Sequence, residues 1–271
     1  MKNKTILKWA GSKVRIIEQL RPHLPKAKRL VEPFAGSCAV MMNTDYEQYL
    51  IADANPDLIN LYNEIISMPV YLFINEADEL FGYSSDNDGI YYYFRTIFNE
   101  QENKLSSVEK ASLFLYLNRH CYNGLCRYNS KGGFNVPFGR YKKPYFPENE
   151  IVAFADKARN ADITCLEWQD TLSLVDFGDG VYCDPPYMGS GFTQYHTAGF
   201  SDADHEALAI ALKDINDIQG NPITVSNSPE ATELYADLGF TIHEIDAPRT
   251  ISATGNRKPA KEIIAVLEGG K

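Results

Sequence analysis

The stretch Gly180-Val181-Tyr182-Cys183-Asp184-Pro185-Pro186-Tyr187 places an acid, two prolines and an aromatic ring directly after a short apolar run. The run predicts a buried strand, at whose carboxyl end the Asp184 carboxylate can accept a hydrogen bond. Pro185 has no N–H, and its fixed φ can point the backbone carbonyl outward as a second acceptor. With the flat ring of Tyr187, these groups suit a planar amine, such as the amino group of a nucleobase. The alternative is that the prolines only end the strand and begin a loop.

Similar short apolar runs lie on both sides of this one. Several lack polar–apolar alternation, which is typical of strands covered on both faces, as in a parallel sheet. Helical patterns lie between the runs, and this alternation at both ends of the chain predicts an open α/β sheet. The predicted strands are 29–33, 49–53, 163–166, 180–183, 222–226, 241–245 and 263–267, and the predicted helices are 14–24, 202–215 and 230–238.

The middle of the chain interrupts this alternation. Residues 57–118 have mostly helical patterns, and a region rich in Gly, Asn and Arg with aromatics follows at 122–129. The sequence Lys131-Gly132-Gly133-Phe134 then predicts a hairpin turn. We expect an inserted domain at 57–145 and a second domain assembled from residues 1–56 and 146–271.

The composition is ordinary for a globular chain, with 44% hydrophobic and 23% charged residues. No apolar run approaches the length of roughly 18 residues that a membrane span needs. The five cysteines are scattered without a CxxC pair or a neighbouring set of histidines, so we expect neither a zinc site nor a disulfide framework. Reduced thiols of this kind are typical of a cytoplasmic protein.

The basic residues are strongly segregated, although the net charge is −10. Segments 1–30, 118–147 and 247–261 carry 19 of the 26 Lys and Arg residues but one of the 36 Asp and Glu residues. If these segments meet in space, they form a positive face on an acidic body and predict a polyanionic partner. The alternative is three solvated loops that do not converge.

Two turns at the ends of predicted strands favour a nucleotide-like ligand. The small residues Ala35-Gly36-Ser37 follow the first strand, where they let a ligand approach the backbone closely. Asp53 ends the second strand, where an acid can bind ribose hydroxyls or can instead cap the helix that begins near Leu58. The turn, the acid and the later Asp184 motif follow one another in sheet order, and this combination is more specific than any one of them.

These motifs resemble those of the DNA adenine-N6 methyltransferases of the Dam type, which use S-adenosylmethionine. The resemblance runs almost end to end and is carried by residues 7–13, 31–36, 52–53, 115–119, 122–129, 134–141 and 182–187. It implies a Rossmann-like methyltransferase sheet with an inserted, mainly helical target-recognition domain that carries a β-hairpin. It also implies double-stranded DNA as the partner, a nucleoid-associated location, no metal and no obligate protein partner.

The resemblance implies a role for each matching residue around the cofactor and the reacting base. The catalytic residues would be Asp184, Pro185, Pro186 and Tyr187, and the cofactor-binding residues would be Trp9, Gly11, Lys13, Phe34, Gly36, Asp53 and Asp184. The chain has Cys38 and Ser12 where the family often has glycine. Each departure adds a small side chain, so we expect altered contact with the cofactor and retained binding.

The resemblance also implies a DNA-binding set in the insert and at the N-terminus. Its members are Lys8, Arg119, Tyr122, Asn123, Leu125, Arg127, Pro137, Arg140 and Lys142, and the expected target is the adenine of GATC. Arg127 could read a guanine edge or contact a phosphate. Tyr122 could fill the stack that a flipped base leaves, or could pack within the insert. Arg140 and Lys142 suit phosphate contacts, as do Lys131 and Lys143.

The chemistry that follows is methyl transfer to an extruded adenine. The N6 lone pair is delocalised into the ring, and two acceptors that grip the amino hydrogens would localise it. The glycine-containing loop 188–199 is expected to close over the flipped base. Two alternatives remain: methylation of another planar amine (cytosine N4, an RNA base or a protein amide), and a DNA-binding protein without catalysis.

Overall fold

The computed structural model describes residues 2–83, 88–100, 104–189, 200–247 and 260–270. Within these residues the strands form one seven-stranded sheet of order β3-β2-β1-β4-β5-β7-β6. The strands are β1 (Arg29–Glu32), β2 (Gln48–Asp53), β3 (Ala161–Cys165), β4 (Gly180–Cys183), β5 (Ile223–Asn227), β6 (Thr241–Ala247) and β7 (Ala260–Leu267). All seven strands were predicted from the sequence, with bounds that differ by up to three residues.

Strand direction is mixed. β3, β2, β1, β4 and β5 are parallel neighbours, whereas β7 pairs antiparallel with both β5 and β6. The inference of parallel strands from unbroken apolar runs is therefore wrong for the last run. Ile263, Ile264 and Ala265 are fully buried because β7 is an inner strand with both faces covered, whatever its direction. Strand order reverses between β1 and β4, and α/β sheets bind ligands at the carboxyl ends of strands beside such a switch point.

The described helices lie in the N-terminal and C-terminal parts of the chain and in its middle. They are α1 (Ile17–Leu20), α2 (Pro56–Ser67), α3 (Val70–Phe81), α4 (Asp88–Glu100), α5 (Ser107–His120), α6 (Glu148–Lys157), α7 (Trp168–Leu172), α8 (Asp202–Gln219) and α9 (Thr232–Asp237). The mostly helical middle of the chain is thus confirmed.

The helix expected at 14–24 is not continuous. Ile16 leaves the helical region at φ −103° and ψ 3°, and the single turn of α1 is followed by a 3-10 segment, Arg21–His23. Pro22 explains the second break, since it has no N–H to donate to the preceding turn. The predicted helix 230–238 likewise begins as a 3-10 turn, Pro229–Ala231, before α9.

Alternate strand residues enter two different apolar cores. Leu30 belongs to one core and Val31 to the other, while in β4 Tyr182 belongs to the first core and Val181 to the second. Since both faces are covered, both sets of side chains are apolar, which removes the alternation from the sequence. Side chains of α2–α5 join the first core. The bounds of the insert, 57–145, stay a prediction.

The expected hairpin is present as two antiparallel bridges, Tyr128↔Phe134 and Cys121↔Phe138. The Asn129 N–H donates to the Gly133 carbonyl at 2.9 Å, and Gly132 has φ 80°, which closes the turn. None of the helices described is long and apolar enough to cross a membrane.

Candidate active site

A left-handed turn follows β1 and is fixed from two sides. Gly36 has φ 46° and Cys38 has φ 55°, the region that favours glycine. The Gly36 N–H donates to Asp53 Oδ2 at 2.9 Å, and the Tyr62 hydroxyl on α2 donates to the Gly36 carbonyl at 2.7 Å. The Cys38 side chain is fully buried and belongs to the first core.

The N-terminal segment lies over this turn. A Cβ atom at Gly36 would lie 2.7 Å from Trp9 Nε1, so only glycine fits beneath the indole. The Ser37 hydroxyl donates to Ser12 Oγ at 2.9 Å, and Gly11 has φ 78°. The structure thus places Trp9 against Gly36 and Ser12 against Ser37, and the cofactor-binding role expected of this segment stays a prediction.

The helix cap that competed with the ribose role of Asp53 belongs to another residue. The Asn55 side chain accepts from the N–H groups of Asp57 and Leu58, the first turn of α2. Asp53 instead accepts from the backbone N–H groups of Gly36 and Asn55, one on each oxygen. These two hydrogen bonds tie the acid at the end of β2 to the glycine turn after β1. Phe34 packs edge-to-face on Phe200, with ring centroids 5.8 Å apart.

The Asp184 carboxylate is held through one oxygen. Its Oδ1 accepts from the Ser226 hydroxyl on β5 at 2.7 Å and lies 2.7 Å from the Lys13 ammonium. Within the described part of the chain, Oδ2 has no hydrogen-bond partner. Burial raises the pKa of Asp184, and Lys13 and Ser226 oppose that rise.

The Tyr187 hydroxyl joins the same group of side chains. It accepts from Lys13 Nζ at 2.7 Å and donates to Glu262 Oε2 on β7 at 2.7 Å. The ammonium also lies over the ring, 4.7 Å from its centroid. Burial is the largest cause of the raised Tyr187 pKa, so the hydroxyl remains protonated at neutral pH. Pro185 and Pro186 join the two groups in sequence, and the direction of the Pro185 carbonyl stays a prediction.

Sequence reasoning missed Ser226 and Glu262. Ser226 had been included only as the last residue of a predicted strand, and Glu262 directly precedes another. A polar side chain in or beside an apolar strand is the signal that could have found both, because burial of such a group requires a partner.

A second acid is buried behind the turn. Glu32, at the end of β1, is 2% exposed, and its Oε1 has no partner within the described residues. Burial raises the pKa of Glu32 to about 8, although a hydrogen bond from the Met41 backbone opposes the rise. The charge of Asp184 contributes to the same rise. At neutral pH Glu32 is therefore mostly protonated.

Most of the predicted DNA-binding residues lie at the surface. Tyr122 is 52% exposed. Arg127, Pro137, Arg140 and Lys142 are also exposed, whereas Asn123 and Leu125 are half-buried. Arg127 Nε donates to the Asn135 side chain at 2.7 Å, and its Nη2 donates to the Asn135 carbonyl at 3.3 Å.

Arg119 differs from the rest of this set because it is buried. Its side chain is 6% exposed, and its Nη2 donates to the backbone carbonyls of Thr5 and Ile6. Burial lowers the pKa of Arg119 to about 10. The guanidinium thus supports the N-terminal segment from inside the protein, and its expected role in DNA binding stays a prediction. The sequence showed a basic residue at the end of a helix, but not the face on which it lies.

Lys8 connects the N-terminal segment to the insert. Asn118 pairs with both backbone groups of Lys8, at 3.0 Å to the N–H and 2.8 Å to the carbonyl. Gly124 leaves room for this approach, since a Cβ there would lie 2.1 Å from Lys8 Cβ. The Lys8 ammonium lies over the ring of Tyr141, 3.7 Å from its centroid.

The expected positive face is only partly formed by these contacts. Segments 1–30 and 118–147 meet at Lys8, but Lys13 pairs with Asp184, and Arg29 pairs with Asp179. Most of the third basic segment lies outside the described residues, as does most of loop 188–199. The three-segment face and the closing loop both stay predictions.

Known proteins match the chain over nearly its whole length. The family model of the D12 class N6 adenine-specific DNA methyltransferases matches residues 9–251. The retron Ec67 DNA adenine methylase of Escherichia coli is 50% identical over 263 residues, covering 97% of this chain and 90% of that protein. The DNA adenine methylases of Serratia marcescens and of Escherichia coli K12 are 44% and 42% identical, each covering at least 97% of both chains. The chain belongs to the D12 class of N6 adenine-specific DNA methyltransferases.

Proposed function

We propose that this adenine-specific DNA methyltransferase transfers the methyl group of S-adenosylmethionine to N6 of a flipped adenine within GATC. The observation that carries the proposal is the Asp184 carboxylate, which the scaffold holds by Oδ1 and which leaves Oδ2 without a partner in the described chain. An acceptor fixed in this way can take an amino hydrogen without reorganising, and preorganised acceptors are an effective source of rate enhancement.

The residues of the glycine turn fit the cofactor. The Gly36 backbone lies against the Trp9 indole, and its N–H donates to Asp53, so the glycine, the indole and the acid lie together at the carboxyl ends of β1 and β2. Trp9, Gly36 and Asp53 would hold the adenosine part, and Asp184 would lie toward the methyl group. When bound, the cofactor supplies an electrophilic sulfonium methyl. The chain's own residues then need to align the amine with it.

An adenine inside a duplex cannot reach Asp184, so the proposal requires base flipping. Extrusion costs on the order of a few kcal/mol. Stacking on the Tyr187 ring offsets about 1–3 kcal/mol of that cost. Tyr122, which is about half exposed beside the hairpin, is suited to fill the vacated stack.

The loop at residues 122–129, which we call the recognition loop, supports a specific target. Arg127 projects from the surface with Nε anchored on Asn135, while Nη1 makes no bond within the described residues and Nη2 has a second proton to donate. A guanidinium held in this way loses little freedom when it binds a guanine edge, and such a pair contributes about 1–3 kcal/mol of discrimination.

The experiment is expression in cells that lack adenine methylation. Their DNA would be digested with one nuclease that cuts GATC only when it is methylated and another that methylation blocks. We expect cleavage by the first and protection from the second, and Asp184→Ala supplies the inactive control. Methyl groups found on cytosine or RNA by base analysis would contradict the proposal. So would tight DNA binding with no transfer to any base.

A further inference from the structure

Lys13 makes contacts that the cofactor role alone does not explain. Its ammonium lies 2.7 Å from Asp184 Oδ1, 2.7 Å from the Tyr187 hydroxyl and 3.1 Å from the Gly11 carbonyl. An ammonium has three protons, so these three partners use its whole donor capacity. The side chain is only 4% exposed, and Nζ is consequently fixed in place.

Glu262 completes this arrangement from the opposite side. Its Oε2 accepts the Tyr187 hydroxyl proton at 2.7 Å and lies 3.9 Å from Lys13 Nζ. The Glu262 side chain is 15% exposed. Lys13, Asp184 and Glu262 come from three distant parts of the chain, and together they bring one positive and two negative charges into a mostly buried cluster. A buried charge is tolerated where a partner of opposite sign is in contact with it.

The Tyr187 hydroxyl lies between the Lys13 ammonium and the Glu262 carboxylate and is hydrogen-bonded to both. It accepts from Lys13 and donates to Glu262, and because a phenol O–H prefers to lie in the plane of its ring, these two hydrogen bonds favour one orientation of the ring. Lys13 is fixed in turn against Asp184 Oδ1, whereas Oδ2 accepts no hydrogen bond within the described residues. The orientation of the stacking ring and that of the accepting oxygen therefore depend on the same cation.

We propose that Glu262 is a positioning residue for methyl transfer, which acts through the Tyr187 hydroxyl and Lys13 to hold the ring and the Asp184 carboxylate in the geometry that grips the target amine. The inference rests on the proposed function. Glu262 touches neither the base nor the cofactor in this account. Its removal should slow the chemical step without weakening the binding of either substrate.

The test is Glu262→Gln in the full-length chain, compared with wild type in single-turnover methylation of a duplex containing GATC. A misplacement within the site can cost about 10- to 100-fold in rate, and a fall of that size is the expected result. We expect the KM for S-adenosylmethionine and the Kd for the duplex to stay within about twofold of wild type, because Glu262 contacts neither substrate in the proposed complex. Glu262→Asp, which keeps the charge, should recover part of the rate.

Glu244→Gln is the matched control, since Glu244 lies on the neighbouring strand β6 and is 68% exposed. It should leave all three constants unchanged. Tyr187→Phe keeps the ring and removes the hydroxyl, so Tyr187→Phe with Glu262→Gln should be no slower than the slower single variant if Glu262 acts through that hydroxyl. Urea unfolding of each variant separates a slow enzyme from an unfolded one.

Three results would overturn the inference. The first is an unchanged single-turnover rate in Glu262→Gln, and the second is a loss of affinity for the cofactor or the duplex as large as the loss of rate. The third is a double variant whose loss of rate is the sum, in free energy, of the losses in the two single variants. Failure of the proposed function would look different. In that case wild type itself would transfer no methyl group to adenine.

Discussion

At the scale of single residues, the two oxygens of Asp184 have different tasks. Lys13 and Ser226 contact Oδ1, whereas Oδ2, which has no hydrogen-bond partner among the described residues, is the oxygen that we propose accepts from the target amine. Since the carboxylate is buried, the loss of its charge would leave the Lys13 ammonium without its nearest counter-ion. One side chain thus contributes both to the stability of the site and to the reaction proposed for it.

Asp184→Asn is the substitution that separates these two contributions. The amide keeps an acceptor for Lys13 and Ser226 but presents a weaker acceptor or a donor to the amine. We expect the single-turnover rate to fall by about 100-fold or more, while the Kd for duplex DNA measured by fluorescence anisotropy changes little. Asp176→Asn, at a side chain that is 87% exposed, is the control. An active Asp184→Asn enzyme would remove this carboxylate from the mechanism.

Glu32 gives a pH-dependent prediction. Burial raises its pKa from the ordinary 4.5 to about 8. The folded chain therefore binds this proton over that interval while the unfolded chain does not, so the contribution of Glu32 to stability decreases as the pH rises from about 4.5 to about 8. Glu32→Gln removes this dependence. Its free energy of unfolding relative to wild type should therefore increase between about pH 5 and about pH 8, by an amount on the order of a few kcal/mol.

Urea unfolding at several pH values measures this difference directly. Glu47→Gln, at an exposed residue before β2, should show no such trend. A constant difference between Glu32→Gln and wild type would mean that Glu32 is ionised in the folded protein.

At the scale of elements, the loop at residues 122–129 and the hairpin closed by the Tyr128↔Phe134 bridge hold surface side chains on a fixed backbone. Asn123 and Arg140 adopt left-handed φ values of 56° and 54°, and the Asn123 N–H donates to the Tyr141 hydroxyl at 3.1 Å. These local bonds present Arg127 and Tyr122 outward before any partner arrives. A recognition surface that is already ordered loses less entropy on binding.

Arg127→Ala and Lys142→Ala should differ in kind. Arg127→Ala should weaken the preference for GATC by about 1–3 kcal/mol at one base pair, because it removes a base-reading group. Lys142→Ala should lower the affinity evenly for all sequences and reduce the salt dependence by about one unit, because it removes a phosphate contact. Binding titrations with single-substituted duplexes at several salt concentrations measure both. If the two variants behave alike, Arg127 contacts phosphate and does not read a base.

At the scale of the whole molecule, Asn118 joins the N-terminal segment to the loop at residues 122–129. It is fully buried at the end of α5, and it pairs with both backbone groups of Lys8 and with the Gly124 carbonyl at 3.2 Å. The segment that covers the glycine turn and the loop that carries Arg127 are therefore attached to one side chain.

Asn118→Ala should affect both sides together. Loss of the buried amide leaves the Lys8 backbone groups without partners, and each unpaired group costs about 1–3 kcal/mol of stability. We expect a lower free energy of unfolding, and weaker binding of both S-adenosylmethionine and duplex DNA measured by calorimetry. Asn60→Ala removes an exposed bond to the Ser107 carbonyl and is the control. If Asn118→Ala weakened the binding of only S-adenosylmethionine or only duplex DNA, the two binding sites would not be coupled through Asn118.

The apolar runs and their spacing were enough to predict the seven strands and the helical middle of the chain, because burial on both faces requires apolar residues in sequence order. The motif at 184–187 and the turn at 35–37 predicted the groups that the structure brings to the carboxyl ends of β4 and β1. Such local signals are strong because glycine, proline and acidic side chains each restrict the backbone or its solvation in a specific way. These signals identified the residues of the candidate site but did not predict which of their side chains contact one another.

The sequence by itself determined the succession of the seven strands, the mostly helical middle of the chain and the identity of the motif residues. Only the tertiary structure decided the antiparallel direction of β7, the burial of Arg119 and the contact of Glu262 with Tyr187. The physical reason is that these three features depend on residues far apart in the chain. Glu262 and Tyr187 are 75 residues apart, and no local preference records which side chain a folded sheet will bring within 2.7 Å of another.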